Sequence, residues 1–211
     1  MKKLITEEFV ILAAKRGEKE LVVCKNCVIT PLAHDKIKSL GMVIVDQASV
    51  MQSSSVEPSY NLRVIIGGDH TSFQARKMIH NFLSSKGIKV EDAGSYSEEA
   101  CDYPDFAKEV ALSVKNKGFH FGIVVDATGI PSCITANKFK GIRAATCYNE
   151  FSARSAREHN NANILALGAK TLGDETIKSI ISTWLSSEFL GDRHQKRLDK
   201  ISKIEELNFK S

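Results

Sequence analysis

Asp126-Ala-Thr-Gly-Ile-Pro-Ser132 brings a carboxylate, a hydroxyl and a glycine turn together in a short segment. The apolar run before it, residues 119–125, reads as a buried parallel strand, and Cys133-Ile-Thr-Ala-Asn137 after it reads as the start of a helix. In an open parallel sheet, ligands bind where strand carboxyl ends and helix N-termini converge. A proton-transferring carboxylate and an ordinary strand-to-helix loop both fit these residues when they are read alone. Other groups suited to chemistry recur along the chain. Gly67-Gly-Asp69-His70 follows an apolar run, with glycines that would let the backbone turn tightly. It is not a GxGxxG fingerprint, so dinucleotide binding has little support. Asp102-Tyr103-Pro-Asp105 opens a helix whose entry proline restricts, and Tyr103 is placed to reach the same rim. His159 precedes Asn160 and would either complement a helix dipole or do chemistry. Lys170 follows a further apolar run, and Arg193 and Arg197 stand at i and i+4, a pair suited to a phosphate or simply to a solvated basic face.

These groups need a scaffold. From residue 62 onward strand and helix patterns alternate. Strands are expected at 62–66, 89–93, 119–125, 142–147 and 163–167. Helices are expected near 72–86, 104–116, 132–139, 149–159 and 174–187, with a charged amphipathic helix at 193–208. Continuous apolar strands imply a sheet covered on both faces, hence a Rossmann-like three-layer α/β/α sandwich on a five-stranded parallel sheet.

Before this body lies a small α/β module, residues 1–47, joined by a Ser- and Pro-bearing linker at 48–60. Thr6 with Glu7 and Glu8 reads as a helix start, 20–24 as a strand, Thr30-Pro31 as a cap opening a helix over 32–40, and 42–45 as a second strand. Cys24-Lys-Asn-Cys27 supplies two ligands where a structural zinc needs four, so a plain turn is expected.

The 211 residues are 43% hydrophobic and carry a net charge of +4 with both signs interleaved, which does not indicate nucleic acid. No stretch approaches the ~18 apolar residues of a membrane span, and the first residues lack a signal-peptide core. Five scattered cysteines fit free thiols in a reducing cytoplasm.

Read together, Gly67-Gly-Asp-His, Asp102-Tyr-Pro-Asp, Thr128-Gly-Ile, Ala136-Asn-Lys, Gly141-Ile-Arg-Ala-Ala, Phe151-Ser-Ala-Arg, Arg157-Glu-His-Asn, Leu165-Ala-Leu-Gly-Ala and Arg193-His-Gln-Lys-Arg follow the order and spacing of one family. Residues 62–204 resemble the ribose-5-phosphate isomerase B family, which includes the galactose-6-phosphate isomerase subunits. The resemblance implies aldose–ketose isomerisation of a sugar phosphate through an enediolate, without metal or other cofactor. It also implies a homodimer or homotetramer whose sites are shared between chains. Carried onto this chain, His159 with Asp69 would open the sugar ring. Thr128, Gly129 and the N–H groups of the 127–132 loop would hold the developing oxyanion. Tyr103, Ser132 and Asn160 would line the sugar, and His70, Lys170, Arg193 and Arg197 would hold the phosphate.

The chain also departs from the family pattern. The commonest base is a cysteine at position 126, and some members use a glutamate at position 132; here these are Asp126 and Ser132. Ala127 and Pro131 replace glycines, and Lys170 replaces an arginine, keeping charge but losing the bidentate fork. One reading makes Asp126 the general base for ribose 5-phosphate. The other makes the chain a catalytically weak sugar-phosphate-binding subunit, similar to the galactose-6-phosphate isomerase A subunit. Leu4-Ile-Thr-Glu-Glu and Val28-Ile-Thr-Pro31 resemble short modules of bacterial microcompartment proteins, which implies recruitment to a shell or partner protein inside such a compartment.

Overall fold

The structure, a computed structural model, describes residues 4–15, 20–23, 27–46 and 62–209. It divides into two units, Met1–Tyr60 and Asn61–Ser211. The linker read at 48–60 lies outside the described residues.

In the first unit β1 (Leu4–Ile5) pairs in parallel with β3 (Val28–Ile29), and β2 (Glu20–Val23) with β4 (Val43–Asp46). Helices α1 (Glu7–Lys15) and α2 (Pro31–Ser39) pack over them around Ile5, Val10, Ala13, Leu21, Ala33, Ile37 and Met42. Thr30 caps α2 through Oγ1, which accepts from the Ala33 N–H at 3.3 Å, and Pro31 sits where its missing N–H costs nothing. The two-residue strands β1 and β3 are too short for any periodicity to announce. Cys27 is disulfide-bonded, so free thiols are found at Cys101, Cys133 and Cys147 but not there. An odd, scattered cysteine count argues against a disulfide framework, yet it says nothing against one bridge. Cys24 lies outside the described residues.

The second unit is a five-stranded parallel sheet in the order β6-β5-β7-β9-β8, made of β5 (Arg63–Gly68), β6 (Lys89–Asp92), β7 (Phe121–Asp126), β8 (Ala144–Thr146) and β9 (Ile164–Gly168). Alternate strand residues divide between two cores. Val64, Ile66, Ile123, Val125, Leu165 and Leu167 face α3 (Phe73–Ser85), α6 (Glu150–Glu158) and α7 (Asp174–Ser186). Ile65, Val124, Ile164 and Ala166 face α4 (Tyr103–Asn116) and α5 (Ile130–Ala136). The final helix, α8 (Asp192–Asn208), buries only His194 and Leu198. This is the three-layer sandwich that apolar runs on both strand faces require.

Three boundaries bear on the site. The Gly67-Gly68 pair does not form a turn: both residues lie within β5, and a Cβ on Gly68 would come 2.0 Å from the Val125 carbonyl oxygen. The glycines therefore permit close strand approach. Asp126 is the last residue of β7 rather than a loop residue. Helix α5 begins at Ile130, earlier than expected, so Pro131 falls in its first turn, where no N–H is needed. At the sheet edge β8 is shorter than the expected 142–147, because the Arg143 N–H is taken by the Asn163 side chain at 2.8 Å.

Candidate active site

At the carboxyl ends of the strands the segment after β7 folds around its own carboxylate. Asp126 is 1% exposed. Its Oδ1 accepts from the N–H groups of Gly129 (2.7 Å) and Thr128 (2.8 Å) and from the Thr128 hydroxyl (3.3 Å), while Oδ2 accepts from the Ser132 N–H (3.0 Å). The Ile130 N–H goes to Thr128 Oγ1 at 3.2 Å. The N–H groups expected to await an oxyanion are thus already committed inside the loop, since a carboxylate two to six residues away is a better-placed acceptor than any solvent group. Gly129, at φ +80°, makes the turn possible, and a Cβ there would meet the Leu167 backbone at 2.9 Å. Thr146 Oγ1 donates to the Gly129 carbonyl (2.9 Å) and Tyr148 Oη to that of Thr128 (3.3 Å), bracing the loop from the end of β8, two strands away. The Ser132 hydroxyl is buried and makes no hydrogen bond.

Asp69 and His70 stand on the same rim. Asp69 is buried and caps the turn His70–Ser72, its Oδ1 accepting from the Thr71 N–H (3.0 Å) and hydroxyl (2.6 Å). Buried Arg76 donates to Ser72 Oγ, to Asp92 and to the Ser95 carbonyl, pinning this turn to the end of β6. His70 Nδ1 accepts from the Cys101 N–H at 3.2 Å, so a neutral ring carries its proton on Nε2, a donor. Tyr103 is the first residue of α4 and half-buried. Exposed Lys170 follows β9, its N–H bonded to the Ala127 carbonyl at 2.9 Å, beside the Asp126 loop.

The remaining expected residues lie elsewhere. Helix α6 leaves the carboxyl end of β8 and returns the chain to the amino end of β9, so His159, its C-cap, sits at the opposite edge of the sheet. Asn160 and Asn161 carbonyls accept from Arg143 just before β8, which marks the same edge. The Asn160 amide donates to the Ser155 carbonyl at 3.3 Å. Here the His159 ring stacks on His194 with centroids 4.4 Å apart and planes 6° from parallel. Arg193 and Arg197, both exposed, flank that stack. Nine helical residues span about 13 Å, so within one chain His159 does not reach Asp69 or Asp126. The expected site residues fall into two groups. One holds Asp69, His70, Tyr103, Asp126, Thr128, Ser132 and Lys170; the other holds His159, Asn160, Arg193 and Arg197. A groove of about 480 Å³ opens beside the second, between α8 and Asn137, Arg143 and Asn160. Among the described residues no group of three or more His, Cys, Asp or Glu could hold a metal ion, and no helix is long and apolar enough to cross a membrane.

Sequence reasoning passed over Thr146, Tyr148 and Ser155, whose roles arise from long-range contacts. His194 stands inside the motif Arg193-His-Gln-Lys-Arg, where spacing alone gives it no role.

This is a Rossmann-like α/β unit whose polar groups suit proton transfer on an anionic ligand. Residues 64–201 match the Ribose/Galactose Isomerase family. Ribose-5-phosphate isomerase B of Escherichia coli is 40% identical over 144 residues, covering 68% of this chain and 97% of that protein. The Clostridium thermocellum ribose-5-phosphate isomerase B structure superposes with a TM-score of 0.69 at 44% identity, covering 70% of this chain and 99% of that one. A Mycoplasma genitalium ribose-5-phosphate isomerase B with bound ribulose-5-phosphate gives 0.66 at 39% identity, over 69% and 97% of the two chains. The chain belongs to the Ribose/Galactose Isomerase family, and its activity class is sugar-phosphate isomerisation.

Proposed function

We propose that the chain interconverts ribose 5-phosphate and ribulose 5-phosphate through an enediolate, using a site completed by a second copy. The supporting observation is a match over nearly the full length of ribose-5-phosphate isomerases B, one of them holding ribulose-5-phosphate. His159 of one chain, with Asp69 of the other, opens the furanose by moving a proton between the ring oxygen and the anomeric hydroxyl. Asp126 then takes the proton from C2 and returns it to C1. Its Oδ2 accepts one N–H and keeps a lone pair for that task. The unpartnered Ser132 hydroxyl, and the Thr128 hydroxyl once it turns from its long 3.3 Å bond to Asp126, supply hydrogen bonds to the enediolate oxygens in place of the committed N–H groups. Tyr103, Gly129 and Asn160 line the sugar. His70 through Nε2–H, with Lys170, Arg193 and Arg197, holds the phosphate. The separation of the two groups supports a homodimer with shared sites, since neither edge alone carries both the proposed ring-opening histidine and the proposed base. The setting is the cytoplasm.

A second substrate has a specific observation behind it. A D-erythrulose-4-phosphate isomerase of Pectobacterium atrosepticum is 40% identical over 146 residues. Turnover assays on four-, five- and six-carbon sugar phosphates decide between them. Binding to all without turnover on any would leave only a binding subunit.

Residues 1–47 act as a docking module for a shell or partner protein. Leu32, 67% exposed, and Val43, 58% exposed, offer apolar contacts that their own unit leaves uncovered. Removal of residues 1–58 should leave turnover intact and abolish co-sedimentation with shell proteins; lost turnover alone would count against docking.

A further inference from the structure

His194 is buried although it stands between two exposed neighbours at the start of a charged helix. What covers it is the ring of His159 in a near-parallel stack, 4.4 Å between centroids. On the other side of the pair, Ser155 Oγ lies 3.1 Å from His159 Nδ1. The Leu190 N–H donates to the Glu158 carbonyl at 3.0 Å, tying the approach to α8 onto the end of α6, so the two rings are held by backbone as well as by each other. His194 Nε2 accepts from Arg193 Nε at 3.3 Å, which links the stack to an arginine of the phosphate group.

We infer that His194 is a positioning residue: it sets the plane of His159 for ring opening and couples that ring to the phosphate-holding Arg193. This rests on the isomerisation proposed above. The stack works only if the pair does not carry two charges. Burial first, then His159, Arg193 and Arg197, hold the His194 pKa below the ordinary histidine range, with Asp192 opposing. His194 therefore stays neutral, able to accept from Arg193 while leaving the proton transfer to His159.

The two directions of the reaction separate this role from general support. Ribose 5-phosphate is mostly a ring and must be opened. Ribulose 5-phosphate has no free hydroxyl placed to close a five-membered ring and enters open. In the full-length enzyme, His194→Ala should lower kcat from ribose 5-phosphate by about 30-fold, as a small misplacement of a catalytic group does. From ribulose 5-phosphate it should lower kcat by less than about 3-fold, because the open-chain ribose 5-phosphate that forms can leave and close its ring in solution. His194→Phe keeps a flat ring against His159 but no acceptor for Arg193. It should restore most of the ribose 5-phosphate kcat while weakening inhibition by inorganic phosphate several-fold. Unchanged kcat in His194→Ala, or equal losses in both directions with no rescue by phenylalanine, would overturn the inference. If the wild-type enzyme does not turn over ribose 5-phosphate, the isomerase reading fails by itself. The His159 ring resonances in wild type and His194→Phe or His194→Ala then decide the positioning claim, and identical shifts would sink it.

Discussion

The Gly129 N–H lies 2.7 Å from Asp126 Oδ1, and both residues are buried where β7 hands over to α5. The loop wraps the carboxylate of its own strand instead of presenting empty donors to solvent. Its geometry is therefore organised around a negative charge before any substrate arrives. In this chain the residue proposed as base and the loop proposed to hold the oxyanion form one hydrogen-bonded unit.

Asp126→Asn should test that unit at two levels. An amide cannot accept at both positions, so either the Ser132 N–H or the Gly129 and Thr128 N–H groups together lose their acceptor, at about 1–3 kcal/mol of stability for each donor left unpaired. Loss of the base should lower kcat by at least about 100-fold. Urea unfolding and steady-state kinetics on one preparation read both, and a stable, active Asn variant would remove Asp126 from the mechanism.

Gly129→Ala probes the turn without touching a charge. At φ +80° a side chain costs about 1–2 kcal/mol, and the added Cβ would press on the Leu167 backbone as well. The urea midpoint should fall and turnover with it.

The two proposed half-sites, at opposite sheet edges, predict complementation. Asp126→Ala and His159→Ala, each inactive alone, should regain activity when mixed through a denaturation–renaturation cycle. Random pairing makes half the dimers mixed, and one of the two sites in each mixed dimer is intact. About a quarter of wild-type activity should return if the dimer is symmetric and isologous. Rates on mixing that stay at the sum of the parents would mean each chain works alone.

Acid should loosen the His159–His194 stack. The folded-state pKa of His194 is depressed relative to the unfolded chain, so folding expels a proton. Its contribution to stability is complete above the unfolded value of about 6.5 and is lost as the pH falls from there through the folded value. The melting temperature of wild type should drop across that window more steeply than that of His194→Phe. Parallel curves would mean the ring is not held neutral.

Much of this molecule is legible in its residues. Apolar strands alternating with amphipathic helices announced a parallel sheet covered on both faces, because no other arrangement hides Val64 to Ile66, Ile123 to Val125 and Ile164 to Leu167 together. Element ends were less readable. Gly67-Gly68 read as a turn, since the pressure that demands glycine there comes from the Val125 carbonyl on a distant strand. Pro131 read as a disturbance of the oxyanion loop, but α5 starts two residues before the expected 132 and takes the proline into its first turn.

Residue types and their order determined the family, the strand-bounded position of Asp126 and the set of polar groups that can act. They do so because periodicity and motif spacing are properties of the chain itself. Tertiary structure alone decided that Asp126 consumes the loop's N–H groups, that His159 lies at the far edge from Asp69, and that His194 is its companion. Each of these is a choice among competing partners, and which partner wins depends on what packing brings within about 3 Å for a hydrogen bond or about 5 Å for a ring contact.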